Sequence, residues 1–243
     1  MANRPPGFKR IMLKLSGEAL MGEKDFGIDP SILKQVAQDI HDIHKEGMEV
    51  AIVIGGGNIF RGLNCKDFGI GRVSADHMGM LATIINSLAL GEILNNIGSE
   101  TRIMSAIDIN RIAEPYIRGR AISHLKKKRI VLFGAGTGNP YFSTDTAAAL
   151  RAMEVKAEVL LKATKVDGVF DSDPEKNISA KPFEHLTHME VLKKNLQVMD
   201  ITAVSLAMRQ RLPIIVFNLL KSGNINRVVS GEKVGTLIAG EEI

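Results

Sequence analysis

The chain has 243 residues, 45% apolar and 24% charged, which fits one large globular domain or two small ones and excludes disorder and fibrous repeats. Its 31 Lys and Arg against 27 Asp and Glu leave a formal charge of +4. That is too mild for a nucleic-acid binder but leaves small anionic partners open. Cys65 stands alone, which excludes an intrachain disulfide and suits a reducing, cytoplasmic interior. The first nine residues lack the apolar core of a signal peptide. Apolar runs such as Ile52 to Ile54 fall far short of the ~20 residues that span a bilayer, so a soluble protein with no membrane partner is expected.

In chain order, short apolar runs that read as buried strands alternate with longer runs that read as helices. The expected strands are Arg10–Leu15, Glu49–Ile54, Thr101–Ser105, 129–133, 158–161 and 214–217. The expected helices are Pro30–Lys45, 76–97, 118–127, 145–153 and 200–211. This alternation is the signature of an α/β fold with a mainly parallel sheet between helices. The first helix has Asp29 as N-cap and Pro30 at its first position, where a missing amide hydrogen costs nothing. Ile32, Val36, Ile40 and Ile43 form its buried stripe, with Lys34, Gln38, Asp42 and Lys45 opposite. The helix from Asp76 is apolar on more than one face, through Met78, Met80, Leu81, Ile84, Ile85, Leu88 and Leu94, and reads as a subunit contact. With no linker and no fixed repeat, one continuous domain is expected.

Glycine clusters follow three of the strands: Gly17 after Leu15-Ser16, Gly55-Gly56-Gly57-Asn58, and Gly134-Ala135-Gly136-Thr137-Gly138-Asn139. In a parallel sheet these loops share one edge, where glycine lets backbone amides approach phosphate. Three such loops together favour a phosphate site, although any one of them could merely turn the chain. No Gly-Lys-Ser/Thr tripeptide is present, which excludes a Walker P-loop. The dinucleotide fingerprint fails at Phe60 and Asn139. The two Asp-Phe-Gly tripeptides lack a His-Arg-Asp partner and are coincidental.

The cations beside these loops are Lys14, Arg61, Lys162 and Lys165, the last two expected after their strand. Phosphoryl transfer needs charge stabilisation and in-line positioning more than covalent chemistry, so such a set suffices. Lys14 stands out because it interrupts Ile11, Met12, Leu13 and Leu15, where a charge is costly unless it emerges at a functional edge. The His41/His44 and His185/His188 pairs have metal-like spacing but no third ligand nearby, so no protein-held metal is expected. The basic run 126–129 reads as a solvated helix end.

Five blocks in order carry a resemblance: Lys14-Leu15-Ser16-Gly17-Glu18-Ala19, Gly55-Gly56-Gly57-Asn58 with Arg61-Gly62, Asp76-His77-Met78-Gly79-Met80, Thr137-Gly138-Asn139-Pro140, and Lys162-Ala163-Thr164-Lys165-Val166-Asp167-Gly168-Val169. Together they resemble the uridylate kinases of bacteria, within the amino acid kinase family, over essentially the whole chain. The resemblance implies a three-layer sandwich with a central mainly parallel sheet. Its acceptor part would lie toward the N-terminal half and its ATP part toward the C-terminal half. It implies transfer of the γ-phosphoryl group of ATP to UMP, with Mg2+ bound through the ATP phosphates.

By the same resemblance, Lys14, Leu15, Ser16, Gly17, Gly57 and Arg61 lie along the ATP phosphates, and Thr164, Phe170 and Asp173 hold the adenine nucleoside. UMP is surrounded by Gly56, Asp76, Thr137, Gly138, Asn139, Pro140, Tyr141, Phe142, Ser143 and Thr144. Lys14, Lys162 and Arg61 are the expected catalytic residues. Gly22, Glu23, Lys24, Asp25, Phe26 and Gly27 correspond to a segment linked to activation by GTP, with UTP as the expected inhibitor. The implied assembly is a homohexamer built as a trimer of dimers.

The chain departs from the pattern at Glu158, where relatives carry an Asp thought to orient the active-site lysines, and mildly at Tyr141 and Ser143. A same-fold kinase acting on a carboxylate is disfavoured by Asp76 and the long 137–144 loop. A non-catalytic nucleotide-binding regulator is disfavoured by intact Lys14 and Lys162.

Overall fold

β1 (Arg10–Leu15) is a central strand of the computed structural model, which describes residues 7–60, 69–172, 176–177 and 179–240. Because side chains alternate along a strand, Ile11, Leu13 and Leu15 enter one core while Met12 enters the other. Lys14 shares the side of Met12. Around β1 are β2 (Glu49–Ile54), β3 (Thr101–Ser105), β4 (Glu114–Pro115), β5 (Ile130–Gly134), β6 (Val159–Thr164), β7 (His185–Thr187), β8 (Ile214–Asn218) and β9 (Thr236–Ala239). Among the described residues the sheet has nine strands in the order β4-β3-β5-β2-β1-β6-β8-β9-β7, parallel except for the β8–β9 pair. With β2 on one side of β1 and β6 on the other, the strand order reverses at β1, and a crevice opens at the carboxyl ends of these strands.

Helices α1 (Pro30–Lys45), α2 (Arg72–Asn96) and, later in the chain, Asn224–Val229 cover one face. Between them in sequence, α3 (Arg118–Lys126), α4 (Thr144–Val155), α5 (His188–Lys193) and α6 (Ile201–Arg209) cover the other, so Asn224–Val229 is α7. This is the expected three-layer α/β sandwich. Asp29 caps α1, its Oδ1 accepting from the Ser31 amide at 2.8 Å, and the Ser31 hydroxyl holds that carboxyl below the usual range. Val36, Ile40 and Ile43 are buried as expected; Ile40 and Ile43, fully so, stabilise the fold by about 2 kcal/mol each. Ile32 is only half-buried, and Leu33, Ala37 and the carboxylate of Asp39 complete the buried face. Four alanines at positions 147–149 and 152 let α4 lie close on the sheet.

Other boundaries moved for local reasons. α2 begins at Arg72 rather than Asp76, because Gly71 serves as N-cap and Val73 and Ala75 continue the helix; Asp76 therefore lies one turn inside. At 25 residues α2 is long and apolar enough to cross a bilayer, contrary to the reading that no stretch approaches that length, but half of its most apolar window is buried in the fold. β6 runs on to Thr164, so Lys162 lies within the strand rather than after it. The unanticipated elements β4, β7, β9, α5, α7 and the 3-10 helix Gly17–Met21 are too short to carry a period. Three histidines of the two metal-like pairs have structural partners: Ser99 Oγ lies 2.9 Å from His41 Nδ1 and 3.1 Å from His44 Nδ1, and Leu212 O accepts from His188 at 3.0 Å. In the basic run, Lys128 donates to Gly47 O and Arg129 pairs with Glu100.

Candidate active site

Register builds the centre of the site. Lys14 of β1 and Lys162 of β6 are paired across adjacent parallel strands, so their side chains rise from the same face with backbones ~4.8 Å apart. The first turn of α4 supplies Asp145 between them: Lys14 Nζ lies 2.8 Å from Oδ1 and Lys162 Nζ 2.8 Å from Oδ2. Lys162 also donates to Val198 O. All three side chains are largely buried. Burial pushes the Asp145 carboxyl up, but the two ammonium groups outweigh it and hold the group below the usual carboxylate range. Burial pushes Lys162 down from the ordinary lysine value, opposed by the Asp145 charge. Two cations on one buried anion leave positive charge facing the cleft, which suits a phosphoryl group in flight.

Two spaces flank this centre. The smaller, about 140 Å³, is bounded by Gly56, Asp76, Thr83, Ala135, Thr137, Asn139, Phe142 and Thr144 among others. The larger, about 570 Å³, lies under Thr164, Gly168, Phe170, Asn195, Val198 and Val216. A third space, of about 500 Å³, shares the 195–198 wall and reaches Lys162 and Asp145. Each opens at the carboxyl edge of the sheet.

The loop around the smaller space is held by identifiable bonds. Thr83 Oγ1 accepts from the Ala135 amide at 2.8 Å, fixing Ala135 at a φ of +61° that L residues rarely adopt. Gly138 has a φ of +81°, and a Cβ there would stand 2.6 Å from Ala106 O, so only glycine fits. Asp76 Oδ2 accepts from the Tyr141 amide at 2.7 Å, and both carboxylate oxygens accept from Arg72 Nε at 2.9 Å. Ser143 caps α4 by accepting from the Asp145 and Thr146 amides, and its hydroxyl donates to Asp200. Asp200 also accepts from Thr146 Oγ1 at 2.9 Å and caps α6 through the Ala203 amide.

Of the residues expected around UMP, Gly56, Asp76, Thr137, Asn139, Phe142 and Thr144 bound the smaller space. Gly138, Pro140, Tyr141 and Ser143 do not bound it; Gly138 and Ser143 shape the loop from behind. Of those expected around ATP, Thr164 and Phe170 bound the larger space, whereas Gly57 bounds the smaller one beside Gly56. The Leu15 side chain lies in the core, and its carbonyl accepts from Gly55 N at 2.9 Å. Gly17 presses so closely on the next loop that a Cβ would lie 2.6 Å from Gly55 O. Lys165 is exposed. The expectations for Arg61 and Asp173 lie outside the described residues. In the 22–27 segment, Gly27 exchanges hydrogen bonds with Asn58.

One expectation is overturned. Glu158 does not orient the lysines: it lies at the opposite edge of the sheet, accepting from the Lys9 amide at 2.7 Å. Four residues of extended chain, ~13 Å, separate it from Lys162. The carboxylate between the lysines is Asp145, which the sequence reading placed only as a helix residue, and the reading also missed Asp200 and the 195–198 wall. The signal available for Asp145 was its place one residue after the Thr144 end of the glycine loop.

The profile of the "Amino acid kinase family" matches residues 9–218. A curated uridylate kinase of Limosilactobacillus reuteri (strain DSM 20016) is 54% identical over 235 residues, covering 96% of this chain and 98% of that one. Among solved structures, the UMP kinase from Bacillus anthracis superposes with a TM-score of 0.94 at 45% identity, covering 98% of each chain. The UMP kinase from Ureaplasma parvum gives 0.90 at 38% identity, covering 96% of this chain and 99% of that one. The uridylate kinase from Archaeoglobus fulgidus gives 0.74 at 28% identity, with 94% and 99% covered.

Proposed function

The chain belongs to the amino acid kinase family, and from that premise we propose that it transfers the γ-phosphoryl group of ATP to UMP, giving ADP and UDP for pyrimidine nucleotide (CTP) biosynthesis. It is an enzyme, a nucleoside monophosphate kinase. The observation that carries the chemistry is the Lys14–Asp145–Lys162 centre between two spaces of unequal size. UMP occupies the smaller space and ATP the larger, so the acceptor part draws on the N-terminal half with the 135–144 loop and the ATP part on the C-terminal half.

In this reading Lys14 and Lys162 hold the phosphoryl oxygens as a UMP phosphate oxygen bonds to the γ-phosphorus, the bond to the ADP oxygen breaks, and negative charge moves from the attacking to the leaving oxygen. Asp145 keeps both ammonium groups aimed. Asp76 meets the ribose hydroxyls, exchanging part of its bonding to Arg72 and Tyr141 for substrate, and Thr164 and Phe170 face the adenine nucleoside. Arg61 and Asp173 take phosphate and adenosine roles by the family resemblance. Asp145 and Asp200 are already bound by lysines, hydroxyls and an amide, which fits Mg2+ carried by the ATP phosphates; when bound it supplies further positive charge to them.

The 22–27 segment is read as the GTP-responsive element, with UTP as inhibitor, supported by the bonds between Gly27 and Asn58. A homohexamer built as a trimer of dimers is supported by α2, whose Met78, Leu81, Ile85 and Leu88 are 37–50% exposed at three- and four-residue spacing. Light scattering should exceed the 26.4 kDa monomer mass. The cytoplasm is its place, a reading supported by the lone Cys65. The direct test is a coupled ADP-release assay across nucleoside monophosphates. UMP should be turned over well and CMP poorly, because a fixed polar site rejects the wrong hydrogen-bonding edge; comparable turnover of both, or phosphorylation of an amino acid instead, would refute the assignment.

A further inference from the structure

On the sheet-facing side of α2, among apolar neighbours such as Leu90 and Leu94, Asn86 is fully buried. Its Nδ2 donates to Gly55 O and to Asn58 Oδ1, both at 2.7 Å. Asn58, itself 2% exposed, returns a bond to Asn86 Oδ1 at 3.0 Å and gives its other hydrogen to Gly27 O at 2.9 Å. All four amide hydrogens of the pair are thereby used, and each acceptor fixes which way the amides face. The Asn58 carbonyl also accepts from Gly27 N at 2.7 Å. On the far side Gly17, three residues after Lys14, approaches so closely that a Cβ would meet Asn58 Oδ1 at 2.6 Å.

The two side chains therefore join α2, the 55–58 glycine loop, the turn after Lys14 and the 22–27 segment. Stability alone does not call for this arrangement, since an apolar pair of similar volume holds a helix to a sheet without desolvating two amides. What the pair adds is a fixed position for the Gly55 carbonyl and hence for the amides of the loop that follows.

We propose that Asn86 is a positioning residue for phosphoryl transfer: acting through Asn58 and Gly55, it fixes the 55–57 loop against the turn after Lys14 and couples that loop to the 22–27 segment. The role rests on the phosphate reading of the loop given above. Asn86→Ala therefore lowers kcat by about 10- to 100-fold, the effect of a displacement on the order of 1 Å at a phosphate cradle, while KM for UMP moves less than about threefold. Leu90→Ala, equally buried four residues along the same helix, lowers the melting temperature by as much or more with kcat within about twofold.

Hydrogen exchange gives a readout independent of turnover. Asn86→Ala speeds exchange across 20–28 and 55–60 and leaves 101–105 unchanged. Asn58→Ala together with Asn86→Ala does no more damage than either alone, because one unit is lost in each case. Should Asn86→Ala not fold, Asn58→Ala breaks the same pair from the loop side and is held to the same outcomes. A folded Asn86→Ala enzyme with kcat within about twofold of wild type, or unchanged exchange at 20–28, would overturn the proposal. Failure of the wild type to phosphorylate UMP would instead strike the functional reading and leave the exchange result standing.

Discussion

Both edges of the sheet bury charged side chains, and they do it differently. At the amino edge, Arg10 of β1 donates to Glu49 of β2 at 2.6 Å and turns another arm to Val155 O: one cation, one anion, with spare donors satisfied. At the carboxyl edge of the same strand, Lys14 shares Asp145 with Lys162, two cations in contact with one anion, with the Asp200 charge a weaker and more distant attraction on Lys162. Burial is alike, with side-chain exposures of 12% and 5% at one edge and 9%, 12% and 14% at the other. The difference is stoichiometry. A balanced buried pair is a closed structural unit, whereas two ammonium groups sharing one carboxylate keep positive charge that an anionic ligand can meet.

Paired neutralisations break that comparison most severely. Asp145→Asn should cost about 3–5 kcal/mol of stability, because two buried ammonium groups lose their counter-charge, and should lower kcat by about 100- to 1,000-fold. Glu49→Gln should cost stability on a similar scale and leave kcat unchanged, as urea unfolding and steady-state assays of the two variants would reveal. Equal kinetic damage from both would erase the distinction between the edges.

A smaller effect belongs to the amino edge alone. Burial holds His44 below the ordinary histidine range, beside Lys128 and His41, and burial does the same to His188 in α5. Groups held neutral in this way contribute stability above the unfolded value of about 6.5 and lose it as pH falls through the folded value. The melting temperature should therefore drop between about pH 7 and pH 5, before Asp145, held below the carboxylate range, begins to protonate. His44→Gln should flatten part of that slope; an unchanged slope would remove His44 from the explanation. The smallest effect is Lys34→Ala on the exposed face of α1, within about 0.5 kcal/mol in stability and without change in rate.

Much of this was legible in the chain, for reasons that particular residues make clear. Lys14 announced itself by interrupting an apolar strand, and the glycine loops by following apolar runs. Asp145 did not, because an acidic residue in the first turn of a helix ordinarily answers the helix dipole. Its meeting with both lysines depends on α4 packing over β1 and on β1 pairing with the distant β6, which local pattern does not encode. The family resemblance put the orienting carboxylate at Glu158, but an extended strand carries Glu158 and Lys162 to opposite edges. The 195–200 wall has no motif; it belongs to the site only because α5 and α6 fold back over the sheet.

The most direct measurement is single-turnover phosphoryl transfer from ATP to UMP by Lys14→Ala, with Lys34→Ala alongside and circular dichroism to establish folding. If the unbalanced charge at the carboxyl edge drives transfer, Lys14→Ala slows the step by ~100-fold or more, on the order of 3 kcal/mol, with substrate binding less affected. A folded Lys14→Ala enzyme that transfers phosphate at nearly the wild-type rate would contradict it.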